Sequence, residues 1–208
     1  MVPKYHWLAV LAAITLLAAP VFSQDKNTST SNLSNPQIAG KQLFVGKECT
    51  ACHTLAEKDE GEKTAMQSTR DDEWFAGHVA EHSEVILRDD RSSRRKRRTA
   101  AAEVDMLRAY LDGTTAAEKK QIDSMSEDVF KGAYLYAQNK CQNCHMIAGE
   151  GKDIGPDLSR VASKHDRAWL LKNLLDPKQF APDTEMPSYE ELGEQALNQI
   201  AAYLTTLK

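Results

Sequence analysis

The sequence predicts an all-α fold of two tandem helical domains that follow an N-terminal export signal. Two similar segments lie 92 residues apart (from Cys49 to Cys141), and each contains apolar residues at helical spacing. Strict alternation of apolar and polar residues, which indicates strands, is not found over any length. A chain of 208 residues has room for two small domains.

Residues 1–23 have the layout of a secretory signal peptide. Lys4 supplies a positive start, the run from Trp7 to Ala19 is apolar without interruption, and Val21 and Ser23 suit the positions before a cleavage site. The apolar run is short for a membrane span, although an uncleaved N-terminal anchor is the alternative. Either way, we expect the rest of the chain in the periplasm or another extracytoplasmic compartment.

A polar linker at 24–35 precedes the first domain, predicted at 36–113, and a second linker at 114–124 precedes the other domain, at 125–208. A repeat of this length is typical of tandem domains rather than of a solenoid. The first helix of each unit is predicted at Pro36 to Lys47 and at Glu127 to Asn139, where Gly40 and Gly132 each stand nine residues before a cysteine.

Each unit is also predicted to contain a middle helix and a last helix. The middle helix opens at Trp74 or Trp169, and the last helix contains Tyr110 or Tyr203 among apolar residues. A small glycine on the first helix lets the last helix cross closely, and we expect these tyrosines at the contact.

The chemistry of the chain is indicated by the pattern C-x-x-C-H, which occurs twice. The chain's four cysteines form the pairs Cys49/Cys52 and Cys141/Cys144, followed by His53 and His145. Two thiols about one turn apart reach the two vinyl groups of a haem, and the adjacent imidazole reaches its iron. A thioredoxin-like redox pair is disfavoured, because neither cysteine pair lies between a predicted strand and a helix. A zinc site is disfavoured as well, because it would not require a histidine directly after each pair. The sequence therefore predicts two covalently bound haem c groups.

The second half resembles a class I cytochrome c domain. The resemblance rests on the C-x-x-C-H motif, Gly155-Pro156-Asp157-Leu158, Trp169, Asp176-Pro177 and Met186-Pro187. It implies that the Pro156 carbonyl orients His145, that Trp169 reaches a haem propionate and that Met186 is the sixth iron ligand. A core methionine is the alternative for Met186, but a loop rich in proline and acidic residues offers it little to pack against.

The first half resembles the same family less completely, so that the whole chain resembles a dihaem protein with two tandem cytochrome c-like domains. It keeps Trp74, assigned to the first haem by the same resemblance, but lacks the Gly-Pro pair and the Met loop. Trp74, His78 and His82 are four residues apart and share one helix face, so a histidine can replace the missing methionine. His82 is favoured over His78. The alternative is that neither binds iron, which leaves the iron open or bound by Met66 or Met106.

The basic run Arg91–Arg98 stands out in a chain with a net charge of −4. It is interpreted either as a solvated loop in the place of the Met loop or as a docking patch for an acidic redox partner. The negative net charge argues against nucleic-acid binding. Membrane contact is expected only through an uncleaved N-terminal anchor.

These features predict a periplasmic electron carrier that transfers electrons between redox protein partners in a respiratory chain, and not an enzyme. The Trp-x-x-x-His and Met-Pro-Ser-Tyr segments are similar to cytochrome subunits of haem-copper oxidase complexes. The alternative is a dihaem peroxidase-like protein or a sensor in which the first haem iron is open.

Overall fold

A computed structural model describes residues 33–55, 64–65, 71–81 and 93–208. The predicted signal peptide at 1–23 and residues 24–32 of the first linker lie outside the described residues. Within the described ranges the chain is mostly helical, which agrees with the helical character of the predicted fold class. None of the helices in these ranges combines the length and the apolar character that a membrane span requires.

Seven α-helices account for most of the described residues. They are α1 (Asn35–Gly46), α2 (Asp72–Glu81), α3 (Ser93–Leu111), α4 (Ala116–Asp123), α5 (Glu127–Gln138), α6 (Arg167–Leu175) and α7 (Gly193–Leu204). Single-turn 3₁₀ helices lie at Cys49–Ala51, Cys141–Asn143, Val161–Ser163, Pro177–Gln179 and Glu190–Leu192. The strands β1 (His53–Thr54) and β2 (Thr64–Ala65) pair in parallel, whereas β3 (Met146–Ile147) and β4 (Glu150–Gly151) pair antiparallel.

The first helix of each half crosses the last helix at a glycine, as predicted. A Cβ atom placed on Gly40 would collide with the Met106 carbonyl oxygen and would lie 2.6 Å from the Tyr110 Cβ atom. On Gly132 it would collide with the Gln199 carbonyl oxygen. Both crossings therefore require glycine, because a side chain would push the two backbones apart.

The segment 114–124, predicted as a polar linker, contains helix α4. The Thr115 hydroxyl accepts a hydrogen bond from the Glu118 N–H, and the Glu118 carboxylate accepts one from the Thr115 N–H at 2.7 Å. This capping box starts a helix that the polar composition of the segment does not predict. Ile122 on α4 is completely buried, and Asp123 forms an ion pair of 2.7 Å with Lys41 on α1. The connection is thus packed against the first half.

The two halves pack directly against each other through α1 and α5. The Asn35 side chain is buried at the start of α1 and donates a hydrogen bond of 3.0 Å to the Ala133 carbonyl oxygen on α5. On the same contact, Glu103 of α3 accepts a hydrogen bond from the Tyr134 hydroxyl and forms an ion pair with Lys47. Buried side chains of both halves form one continuous hydrophobic core.

Candidate cofactor site

The two C-x-x-C-H segments fold in the same way. Each begins with a non-glycine residue in the left-handed conformation, Glu48 with φ 52° and Lys140 with φ 58°. This backbone turn ends α1 or α5 and starts a 3₁₀ turn that contains the first cysteine. In each 3₁₀ turn the second cysteine's N–H donates to the first cysteine's carbonyl oxygen, at 3.3 Å for Cys52 and 3.1 Å for Cys144. Each half therefore presents two cysteines and a histidine on one tight turn.

The imidazole of His145 is held by the loop that follows β4. Its Nδ1 atom lies 2.8 Å from the Pro156 carbonyl oxygen, which is the contact implied by the sequence resemblance. A carbonyl oxygen can only accept, so Nδ1 carries the proton and donates. The neutral ring then has its lone pair on Nε2, which is the nitrogen available to a metal.

Two glycines shape the backbone around this imidazole. A Cβ atom on Gly155 would lie 2.8 Å from the His145 Cε1 atom, so a side chain there would press on the ring. Gly151 has φ +107°, and a Cβ atom on it would collide with the His145 carbonyl oxygen. Both positions keep the backbone close to the histidine, which fixes the ring in place.

The second half fits a haem c group by its own geometry. None of the chain's four cysteines forms a disulfide, so Cys141 and Cys144 are available for thioether bonds. His145 follows directly and has a defined tautomer with Nε2 as the acceptor atom. Burial raises the pKa of the Cys141 thiol to about 11, and a hydrogen bond with Tyr189 opposes part of that increase. Cys141 is therefore a neutral thiol at neutral pH.

Met186 is half-buried on the loop between the 3₁₀ turns Pro177–Gln179 and Glu190–Leu192. Its N–H donates to the Thr184 hydroxyl at 3.2 Å. Its sulfur lies 3.7 Å from the Asn173 Nδ2 atom, which comes from α6. The predicted ligand is thus held by its own loop on one side and faces the helix that carries Trp169 on the other.

Trp169 lies in a cluster of rings at the start of α6. Its ring is stacked on His165, with centroids 3.5 Å apart, and is tilted against Phe180 at 4.9 Å. The backbone N–H of Trp169 donates a hydrogen bond of 2.8 Å to the Asp166 carboxylate, and this bond caps the start of α6. These contacts fix the indole in one orientation.

The first half brings His53 and His78 together. The centroids of the two imidazole rings are 5.9 Å apart, and the ring planes are inclined at 74°. The ring of Trp74 is stacked on His78, with a centroid distance of 5.0 Å and an interplanar angle of 9°. His53 pairs with Thr64 in the β1–β2 ladder, in a half whose sequence has no Gly-Pro pair.

Comparison with known proteins identifies the second half. The family model of cytochrome c matches residues 129–208, which include Cys141, Cys144, His145 and Met186. Residues 129–208 form a cytochrome c domain.

Two curated relatives each match part of the chain. A cytochrome c oxidase subunit 2 from Alkalihalophilus pseudofirmus is 25% identical over 116 residues, which cover 52% of this chain and 33% of that protein. A subunit of nitric oxide reductase from Halomonas halodenitrificans is 37% identical over 43 residues, or 21% of this chain and 29% of that protein. The chain therefore spans about a third of the length of each relative. No solved structure matches it significantly.

Several residues singled out from the sequence fall outside residues 129–208, the range that matches cytochrome c. His82 and Met66 lie outside the described residues, as do residues 91 and 92 of the basic run. Residues 93–98 form the start of α3, so this part of the run is helical rather than the predicted loop. Met106 is buried in the core where α1 crosses α3. Met106 is therefore a core methionine, which is the role considered as the alternative for Met186.

Two features of the middle helices were not predicted from the sequence. Asp71 and Asp166 accept hydrogen bonds from the N–H groups of Trp74 and Trp169, both at 2.8 Å, and α2 and α6 begin two residues before these tryptophans. An aspartate three residues before each tryptophan is a readable helix-start signal. Asn173 was missed as well, although it follows Trp169 by four residues as His78 follows Trp74.

Proposed function

We propose that the chain is an exported dihaem electron carrier, in which the cytochrome c domain at 129–208 and residues 36–113 each hold one haem c. The repeated turn geometry of the two C-x-x-C-H segments is the observation that carries this proposal. The resemblance extends to the glycine crossings next to both segments, where α1 meets α3 and α5 meets α7. A cytochrome c domain fits an electron carrier.

In the second site, Cys141 and Cys144 are the proposed attachment points, and His145 and Met186 the proposed iron ligands. The bound haem would supply reversible one-electron chemistry at its iron. His145 donates its Nδ1 proton to the Pro156 carbonyl oxygen, which fixes the ring and makes Nε2 a stronger donor to the iron. Trp169, fixed by its stacking contacts, is the proposed partner of a haem propionate.

In the first site, Cys49 and Cys52 are the proposed attachment points and His53 the proposed iron ligand. Trp74 is stacked on His78 beside this histidine, so the tryptophan that resembles Trp169 also belongs to the proposed haem surroundings. Two haems with different surroundings would differ in reduction potential, since ligands and burial both tune the iron.

The proposed partners are redox proteins of a respiratory chain. One matched relative belongs to cytochrome c oxidase and the other to nitric oxide reductase, which supports partners of this class. The basic run Arg91–Arg98 would attract an acidic partner and increase the encounter rate, particularly at low ionic strength. Residues 1–23 are proposed to direct the chain out of the cytoplasm.

An optical redox titration of the full-length protein, combined with additions of carbon monoxide and peroxide, tests the function. We expect two one-electron transitions, no carbon monoxide complex in the reduced protein and no reaction of the oxidised protein with peroxide. Formation of a carbon monoxide complex together with peroxide turnover would instead support the peroxidase-like alternative, and a carbon monoxide complex alone would support the sensor.

A further inference from the structure

We propose that His78 is the sixth ligand of the first haem iron, opposite His53. This inference rests on the proposed function, because it requires a haem on Cys49 and Cys52. It makes the first iron a bis-imidazole centre and the second a histidine–methionine centre.

The distance between the two imidazoles fits a pair of ligands on one metal. A metal–imidazole bond is about 2.0 Å, and the bonding nitrogen is roughly 1.1 Å from the ring centroid, so two imidazoles on opposite sides of a metal have centroids about 6 Å apart. The observed centroid distance between His53 and His78 is 5.9 Å. The spacing of the two rings therefore suits two ligands of one iron.

The second half provides independent evidence that a side chain at the helix position of His78 reaches the distal side of the site. Counting from each tryptophan, His78 corresponds to Asn173, since both follow the tryptophan by four residues on the middle helix. The Asn173 Nδ2 atom lies 3.7 Å from the sulfur of Met186, the proposed sixth ligand of the second iron. A side chain at this helix position thus reaches the distal side of the site. In the first half, which lacks a Met loop, this position is occupied by a histidine.

The orientation of His78 is fixed by its neighbours. Trp74 covers one face of the imidazole in a nearly parallel stack. Helix α2 is attached to α3 through Arg108, which forms an ion pair of 2.7 Å with Asp72 and lies over the ring of Phe75. Val79, the residue after the histidine, is buried in the core. An imidazole held in this way loses little further rotational freedom when it binds a metal.

The inclination of the two rings gives the proposed centre a spectroscopic signature. Axial imidazoles in parallel planes split the iron π orbitals, whereas nearly perpendicular planes leave these orbitals close in energy. The ring planes of His53 and His78 are inclined at 74°, which is close to perpendicular. We therefore expect a strongly anisotropic low-spin electron paramagnetic resonance signal from the oxidised first haem.

The test compares full-length, haem-loaded His78→Ala with the matched variant His82→Ala. In His78→Ala we expect the anisotropic signal to be lost, the first haem to become high-spin and one equivalent of carbon monoxide to bind after reduction. Added imidazole should restore the low-spin signal. The spectrum of the second haem should stay unchanged, which shows that the variant has folded. His82→Ala should retain every wild-type signal.

A low-spin first haem in His78→Ala, or loss of the anisotropic signal in His82→Ala, would overturn the assignment. Failure of the underlying function is distinguished by mass. If Cys49 and Cys52 of the wild-type protein carry no haem, the two-haem proposal is wrong, whereas two attached haems with an unchanged His78→Ala spectrum contradict only the ligand assignment.

Discussion

The Nδ1 atom of His145 donates a hydrogen bond of 2.8 Å to the carbonyl oxygen of Pro156. This contact links the C-x-x-C-H turn to a loop eleven residues further along the chain. It gives the imidazole one tautomer and one orientation, and it increases the electron density on Nε2. The properties of the second haem should therefore depend on residues that never touch the iron.

Gly155→Ala tests this dependence. The new methyl group would lie 2.8 Å from the His145 Cε1 atom and 3.0 Å from Nδ1, so the ring must move and its hydrogen bond must weaken. A less electron-rich imidazole stabilises ferric iron less well, so the potential of the second haem should rise while that of the first stays constant. Redox titration measures both values. Ile154→Ala, at a neighbouring side chain that is 69% exposed, is the control. Identical potentials in Gly155→Ala and the wild type would contradict the role of the contact.

Met186→Ala should remove the near-infrared methionine-to-iron band completely and lower the potential of the second haem, because a thioether ligand favours reduced iron. Near-infrared spectroscopy of the oxidised protein provides the measurement. Met125→Leu, a change of similar volume in the buried core, should retain the band. A methionine band that persists in Met186→Ala would assign a methionine to the first iron and contradict the bis-imidazole centre.

Gly132→Ala and Gly77→Ala should change stability in opposite directions. A Cβ atom on Gly132 collides with the Gln199 carbonyl oxygen, so overpacking at this crossing should cost about 1–3 kcal/mol of unfolding free energy. On Gly77, in α2, no atom of the described residues lies within 4 Å of the same Cβ position apart from its chain neighbours and the backbone of the helix itself. Alanine there should stabilise the protein by about 0.5–1 kcal/mol through its higher helix propensity.

Denaturant titration of both haem-loaded variants measures these differences. Equal stability of Gly132→Ala and the wild type would show that α5 and α7 do not need the close crossing. A destabilised Gly77→Ala would place a further packing partner against α2.

The stability of the loop that holds Pro156 should depend on pH through Asp157. Its carboxylate accepts hydrogen bonds from the hydroxyl and the N–H of Ser159, which lowers the pKa of Asp157 below its usual value. The folded protein therefore favours the ionised form more than the unfolded chain does. This contribution is present above the ordinary aspartate pKa of about 3.9 and is lost as the pH falls through the lower folded value.

Asp157→Asn should accordingly be less stable than the wild type at neutral pH, and the difference should shrink in acid. Unfolding at several pH values checks the trend, and carbon-13 nuclear magnetic resonance of the Asp157 carboxyl group checks its pKa. A difference in stability that stays constant across this pH range would contradict the assignment.

The sequence predicted those features that depend on local spacing. The glycine-containing first helices and the tyrosines at their crossings follow from the repeat, and the His145–Pro156 contact was implied by the resemblance to a class I cytochrome c domain. Helix α4 was missed because its residues are mainly polar, and only the capping box of Thr115 and Glu118 reveals its start.

Other contacts between distant segments could not be predicted from residue spacing. His78 and His82 lie four residues apart on one predicted face, so periodicity alone does not choose between them. The structure adds the distance of 5.9 Å between the rings of His53 and His78, which depends on how α2 packs against α3, whereas His82 lies outside the described residues. The hydrogen bond from Asn35 to Ala133 joins two repeats and likewise has no signature in either one.

The mass of the purified mature protein, produced in a host that attaches haem to C-x-x-C-H motifs, tests the central claim most directly. We expect the mass of the polypeptide plus two haem groups, and the loss of one haem in each of the double variants Cys49→Ser/Cys52→Ser and Cys141→Ser/Cys144→Ser. A wild-type mass with a single haem that disappears only with Cys141 and Cys144 would contradict the two-haem account.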